Sequence, residues 1–272
     1  MKLGQAIQQA QAQGLDTLDA QLLLLHALQP EQHGRAWLLA HDQDPLPSLQ
    51  QAAFHAAVAR RSAGEPLAYI TGHREFYGMD LLVDPRVLVP RPDTETLVDW
   101  ALERLSGLVS PKVLDLGTGS GAIALAIQRA MPQAQVSAVD CSTDALAVAQ
   151  ENAARLGLAV QFVQSSWLSQ VQGQFHLIVS NPPYIAEEDV HLAALKHEPI
   201  GALTAGPDGL DDIRQLVAQA PAHLLPTGWL LLEHGYDQAQ AVRSMMESPG
   251  YQLAQSRRDL AGVERCSGAQ RV

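Results

Sequence analysis

From Lys112 onward, short apolar runs alternate with segments of helical period, and this alternation constrains the fold more than any other feature. Strands are expected at Val113–Leu116, Val136–Val139, Val160–Val163, Leu177–Val179, Leu230–Leu232 and near Tyr251–Leu253. Helices are expected at Ala122–Ala130, Thr143–Leu156, Leu210–Leu225 and Asp237–Met246. Strands that alternate with helices imply a mostly parallel sheet. Right-handed crossovers then place helices on both of its faces. The expected fold class is α/β with a doubly wound sheet.

The first quarter of the chain has a different rhythm. Residues 1 to about 64 read as helical. Leu3, Ile7 and Ala10 recur at helical spacing, and Asp16 or Thr17 can cap a helix carrying Leu18, Leu22 and Leu25. Gly34 and Asp44–Pro47 interrupt the pattern, and Ser48 is expected to cap a helix running to Gly64. Between Glu65 and Pro92 the period shortens. Leu67–Ile70, Phe76-Tyr77, Leu81–Val83 and Val87–Val89 read as short strands of a hairpin-like connector. Pro92 then opens a helix that carries Leu97, Val98, Ala101, Leu102 and Leu105 and stops at Gly107. The expected division is a helical bundle over 1–74, a connector over 75–91 and an α/β domain over 92–272.

Composition removes several function classes. The 272 residues carry 18 Lys plus Arg against 29 Asp plus Glu, a net charge of −11. Such a surface repels phosphate backbones and argues against a duplex-binding protein. Two cysteines, Cys141 and Cys266, make neither a disulfide framework nor a zinc site; they are expected to be small buried hydrophobes. Apolar runs such as Leu22–Leu25 are far shorter than the ~18 residues of a membrane span, and no secretory leader is read. The expectation is a cytoplasmic protein with no membrane partner.

The first strand of the α/β region ends in Asp115-Leu116-Gly117-Thr118-Gly119-Ser120-Gly121, with a helix behind it. Glycines let a backbone turn tightly and a ligand approach it. The helix N-terminus favours a negative group. The spacing is one residue shorter than the Gly-x-Gly-x-x-Gly of dinucleotide sites. The second strand ends at Asp140, whose carboxylate can accept hydrogen bonds from ribose hydroxyls; Ser142 and Thr143 are better placed to cap the next helix. These features point to a nucleoside-containing ligand. They do not separate a nicotinamide cofactor from S-adenosylmethionine.

The fourth strand runs into Asn181-Pro182-Pro183-Tyr184. Two prolines remove two backbone donors and fix φ twice, so the turn is rigid. The combination suits transfer to a planar NH₂ group, whose conjugated nitrogen is a poor nucleophile. The Asn181 oxygen and the Pro182 carbonyl can each accept one N–H, and Tyr184 can lie against the plane. Each such bond is worth only about 1 kcal/mol net, whereas in-line placement of the reactants can supply roughly 7–11 kcal/mol.

Gly117–Gly121, Asp140 and Asn181–Tyr184 resemble the motifs of Rossmann-like class I S-adenosylmethionine-dependent methyltransferases that act on planar NH₂ groups. The chain as a whole resembles the peptide chain release factor glutamine methyltransferases, including their helical N-terminal domain. Further matching segments are Pro66–Gly72 with Glu75–Gly78, Pro90–Glu95, Glu198–Leu203 with Gly209-Leu210, and Leu232–Gly235. The resemblance implies methyl transfer from S-adenosyl-L-methionine to the side-chain amide nitrogen of the glutamine in the Gly-Gly-Gln motif of bacterial class 1 release factors. It implies that Gly117, Thr118, Gly119, Ser120 and Gly121 hold the methionine end of the cofactor, Asp140 its ribose and Trp167 its adenine. Asn181 would touch cofactor and substrate, with Pro182, Pro183 and Tyr184 holding the glutamine amide and the N-terminal bundle gripping the release factor. A monomer without direct nucleic-acid contacts is expected.

Two departures stand out: Ser165-Ser166 precede Trp167 where an acidic residue is common, and Gly206-Pro207-Asp208 places a proline near the substrate entrance. Glu198 reads equally as a substrate-positioning or a plain loop carboxylate. Arg91 could reach the cofactor pocket or sit on the surface. His73, His191 and His197 have no metal-ligand spacing, and no metal is expected. Trp100 and Trp229 read as core. The alternative function is methylation of an exocyclic amino group on a nucleic-acid base, with Tyr184 stacking on a flipped base. The net charge disfavours it. A nicotinamide oxidoreductase conflicts with the glycine spacing, and a non-catalytic module with the intact motifs.

Overall fold

The computed structural model describes residues 1–28 and 34–272. They form two compact units, Met1–His73 and Arg74–Val272. The first unit contains α1 (Leu3–Ala12), α2 (Thr17–Ala27), α3 (Arg35–Ala40), α4 (Ser48–Ser62) and α5 (Leu67–Thr71). Asp16 caps α2 by accepting the Asp19 N–H at 2.8 Å. Leu3, Leu23, Leu24, Leu38, Phe54 and Val58 fill the bundle's core. The part of the helical reading over 29–33 lies outside the described residues.

Three local expectations are corrected here. Pro47 is the N-cap of α4, and Ser48 is its first residue and makes no capping bond. Leu67–Ile70 is helical: Pro66 precedes it, Gly72 ends it at φ +79°, and the Thr71 hydroxyl bonds back to Leu67 O at 3.1 Å. A run of four apolar residues fits either period, and here the flanking proline and glycine decide. Val87–Val89 forms no strand; its Val89 N–H donates instead to the Glu198 carboxylate at 3.1 Å.

The hairpin of β1 (His73–Phe76) and β2 (Met79–Leu82) starts at the boundary and lies in the second unit from Arg74 on. A 3₁₀ turn at Pro92–Thr94 leads into α6 (Glu95–Leu105). Then come β3 (Lys112–Leu116), α7 (Ala122–Ala130), β4 (Gln135–Asp140), α8 (Thr143–Leu156), β5 (Gln161–Gln164), β6 (Phe175–Ser180), α9 (Asp211–His223), β7 (Leu224–Glu233), α10 (Ala239–Met246), β8 (Tyr251–Arg258) and β9 (Glu264–Arg271). Among the described residues the seven-stranded sheet has the order β5-β4-β3-β6-β7-β9-β8. The pairs β3–β4, β3–β6, β4–β5 and β6–β7 are parallel, and β9 runs antiparallel to both neighbours.

Alternation along the strands splits the core in two. Val113, Leu177 and Leu231 pack with Trp100, Leu125 and Ile127 on one face. Leu114, Ile178 and Leu230 pack with Ile213, Leu216 and Val242 on the other. The sheet is therefore doubly wound, as expected. Strand β9 was not anticipated, because Glu264–Arg271 lacks the β-branched and aromatic residues that mark strands. Its place depends on Gly268. A Cβ there would lie 2.4 Å from a Leu231 methyl carbon and 2.9 Å from the Trp100 ring. Trp100 and Trp229 are core, as read. Cys266 is buried, but Cys141 is exposed, contrary to expectation: it follows the last residue of β4, where the chain leaves the sheet.

Candidate active site at the carboxyl ends of the central strands

Strand β3 lies between β4 and β6, so the chain continues to opposite sides after these neighbouring strands. That reversal opens a crevice at the strands' carboxyl ends, where ligands of such sheets bind. Register sets Leu116 opposite Ser180, and the Ser180 hydroxyl donates to Leu116 O at 2.7 Å. The glycine loop and Asn181 thus leave the sheet as neighbours.

The loop adopts backbone that favours glycine at all three positions: φ is +69° at Gly117, +56° at Gly119 and +86° at Gly121. Gly117 and Thr118 donate to Val139 O at 2.9 Å, fastening the loop to β4. The Trp167 ring would lie 3.2 Å from a Cβ at Gly117, whereas a Cβ at Gly119 meets nothing within 4 Å. The middle of the loop therefore borders open space at the start of α7, which suits a ligand. Asp140 accepts the Gly119 N–H at 3.0 Å and the Ser142 N–H at 2.9 Å. These bonds use only part of its acceptor capacity, and α8 is capped instead by Ser142, which accepts Ala145 N–H.

Asp115 lies beneath the loop and is fully buried. One oxygen accepts the Thr118 hydroxyl at 2.6 Å and Ala124 N–H at 3.2 Å; the other has no partner. Burial pushes its carboxyl up to about 7, against the two hydrogen bonds, which favour the charged form. Trp167 has φ +49°, and its indole N–H donates to Asp212 at 3.0 Å. Ser165 turns inward, donating to Trp167 O at 2.7 Å and accepting Gln170 N–H at 3.0 Å; Ser166 is exposed.

Asn181 is half-buried, and its Nδ2 donates to Thr94 Oγ at 3.2 Å. Pro182 is buried and Pro183 half-buried. Tyr184 is held through its backbone. Its N–H and that of Ile185 donate to Leu203 O, and its carbonyl accepts Gln238 Nε2 at 3.0 Å. Gly209 presses on this turn: a Cβ there would sit 2.2 Å from Tyr184 O. The Gly206-Pro207-Asp208 segment thus packs toward the motif. Burial pushes the Tyr184 phenol upward, so it stays protonated.

A cavity of 310 Å³ opens between Asn181, Tyr184, Leu88, Arg91, Glu198 and Leu203. Glu198 is buried, pairs with Arg91 at 2.5 Å and accepts Val89 N–H at 3.1 Å. Its carboxylate therefore ties the segment before Pro90 to the loop that follows the Asn-Pro-Pro-Tyr turn, and Arg91 faces the cavity. His191 is exposed and pairs with Asp189. Among the described residues no group of three or more His, Cys, Asp or Glu is placed to hold a metal, and no helix is long and apolar enough to cross a membrane.

The PrmC N-terminal domain model matches residues 3–72, and the methyltransferase small domain model matches residues 94–200. A release factor glutamine methyltransferase of Bordetella pertussis is 51% identical over 94% of this chain and 95% of its own length. The chain belongs to the release factor glutamine methyltransferase family. A Vibrio cholerae family member is 46% identical, covering 96% of this chain and 92% of its own. A Pyrococcus furiosus methyltransferase structure shares the fold at a TM-score of 0.54 and 20% identity, covering 80% of this chain and 96% of that one.

The structure brings Gly117–Gly121, Asp140, Trp167 and Asn181–Tyr184 together at the carboxyl end of the sheet, and Glu198 lines the adjoining cavity. Reasoning from sequence gave no role to Thr94, Gln238, Asp212 or Glu233, although Thr94 and Glu233 lie in the matching segments Pro90–Glu95 and Leu232–Gly235. Thr94, Gln238 and Asp212 belong to helical segments that look amphipathic and ordinary.

Proposed function

We propose that this protein transfers a methyl group from S-adenosylmethionine to the side-chain amide nitrogen of the glutamine in the Gly-Gly-Gln motif of class 1 peptide chain release factors. S-adenosylmethionine supplies an electrophilic methyl group. Gly117–Gly121 would hold its methionine end at the start of α7, Asp140 its ribose hydroxyls, and Trp167 would border the adenine. The open space over Gly119 and the spare acceptor capacity of Asp140 support this fit.

One observation carries the reading of the reaction. The Asn181 amino end is anchored to Thr94 beside the glycine loop, which leaves its oxygen for a donor in the cavity. Asn181 Oδ1 and the Pro182 carbonyl would each accept one N–H of the substrate amide, turning the nitrogen toward the cofactor side of the crevice. Tyr184, neutral and held by Gln238 and Leu203, would lie against the amide plane. These groups position; none of them is a strong base, and placement of the reactants supplies most of the rate. Glu198 would shape the cavity through Arg91 rather than touch the substrate. We assign residues 1–74 to recognition of the release factor, 75–91 to the connector and 92–272 to methyl transfer, in a monomeric cytoplasmic protein.

The test is peptide-resolved mass spectrometry of unmethylated release factor incubated with the protein and S-adenosylmethionine. One added methyl on the Gly-Gly-Gln glutamine, absent without the cofactor, is expected. No methyl from a preparation that binds the cofactor would overturn the reading and favour an amino group of a nucleic-acid base. Asn181→Ala is expected to lower turnover by roughly 10²–10³.

A further inference from the structure

The Asn181 amide has two ends, and under the reading above only its oxygen serves the reaction. The amino end carries two N–H donors. Thr94 Oγ takes one of them at 3.2 Å. A carboxyl able to accept the second lies on the neighbouring strand. Parallel pairing sets Ser180 opposite Leu232, so the next residues, Asn181 and Glu233, leave this register together. Glu233 is 1% exposed. Its carboxyl faces the Thr94 hydroxyl and the Asn181 amide, yet no hydrogen bond reaches its Oε2. Leaving a buried oxygen unpaired costs about 1–3 kcal/mol, a burden that functional sites tolerate better than cores do.

We propose that Glu233 is a positioning residue for methyl transfer, which with Thr94 holds the Asn181 amino group and so keeps Oδ1 turned toward the substrate amide. The proposal rests on the role given to Asn181 above. The opposite amide orientation would set N–H donors against the N–H donors of the substrate. An ionised carboxylate only accepts, so it enforces one orientation, whereas glutamine or a protonated carboxyl both accepts and donates and permits either. Burial pushes the Glu233 carboxyl up to about 7, Thr94 and Asn181 favour its charged form, and Asp93 and Arg265 act in opposite directions. Tyr184 and Cys266 also face it, and burial keeps both neutral. Near pH 8 the acceptor-only form is therefore the major one.

The test measures kcat, cofactor Kd and thermal midpoint at pH 8 for Glu233→Gln and Thr94→Val, each alone and combined with Asn181→Ala. Each single substitution is expected to lower kcat about tenfold, with cofactor Kd within about twofold of the parent. Neither should lower it further once Asn181 is alanine, since residues acting through one another do not add. A loss of the same size in the Asn181→Ala background, or parental kcat in both single variants, would overturn the proposal. Thr94→Val carries the test if Glu233→Gln fails to fold. Parental turnover by Asn181→Ala itself would instead defeat the underlying reading, and the proposal with it.

Discussion

Gly209→Ala tests the effect of moving Tyr184 without removing any polar side chain. A Cβ at this position would lie 2.2 Å from Tyr184 O, 2.7 Å from its carbonyl carbon and 3.0 Å from Ala186 N. Atoms in such contacts need roughly 3.0–3.5 Å, so the Tyr184 backbone must retreat by about 1 Å. The retreat pulls on the bonds to Leu203 and Gln238 that hold the turn. Gly209 also has φ +72°, where alanine costs about 1–2 kcal/mol. That corresponds to a drop of about 2–8 °C in thermal midpoint for a unit of this size. A displacement of about 1 Å at a positioning group costs on the order of 10² in rate. The assay is methyl transfer to release factor under saturating substrates, with cofactor binding measured by calorimetry. We expect kcat to fall by about 10², with cofactor Kd close to the parent's. Gly119→Ala is the contrasting control, because its Cβ meets no atom within 4 Å and it borders the other half of the crevice. It should weaken cofactor binding first. If Gly209→Ala loses stability but keeps kcat within threefold, the Tyr184 turn does not position the substrate.

Three further outcomes are expected. Asp140→Ala removes the acceptor of Gly119 and Ser142 and should raise cofactor Kd before it lowers kcat, as read by equilibrium binding. Asn152→Ala unpairs Leu82 N, Leu82 O and Ser120 O, so the thermal midpoint should fall by an amount matching about 2–3 kcal/mol, with weaker cofactor binding as the glycine loop loosens. Asp115 is held near 7 when folded and lies near 4 when unfolded, so the folded state binds its proton more tightly. Its contribution to stability therefore falls as pH rises between about 4 and 7 and levels off above; urea midpoints of Asp115→Asn should lack that part of the slope.

How much of the site was legible depended on whether a backbone constraint or a packing accident placed each residue. Gly117, Gly119 and Gly121 could be read because each occupies a positive φ that other residues resist. Pro182 and Pro183 could be read because proline fixes φ in any context. The parallel strands were visible as runs of apolar residues buried on both faces. By contrast, α5 was misread because Leu67–Ile70 is too short to declare its period, and β9 went unread because Glu264–Arg271 lacks strand-forming side chains and relies on Gly268 to pack. Thr94 and Gln238 act through distance alone. Nothing in Asp93-Thr94-Glu95 or Asp237-Gln238-Ala239 states that these side chains meet the Asn-Pro-Pro-Tyr turn.

Strand β9 has a consequence for synthesis. It pairs with β7 over Trp229–Glu233, and Cys266 lies opposite Glu233. Every motif residue from Gly117 to Tyr184 is translated well before Glu264. A nascent chain can thus carry the complete glycine loop and the Asn-Pro-Pro-Tyr turn while the outer edge of β7 still faces water. Residues 264–271 lie between β7 and β8, so the cover of Glu233 on that side comes only with this strand. The order in which the strands are made differs from the order in which they sit. Strand β9 therefore acts as the keystone of a site whose named motifs it does not contain.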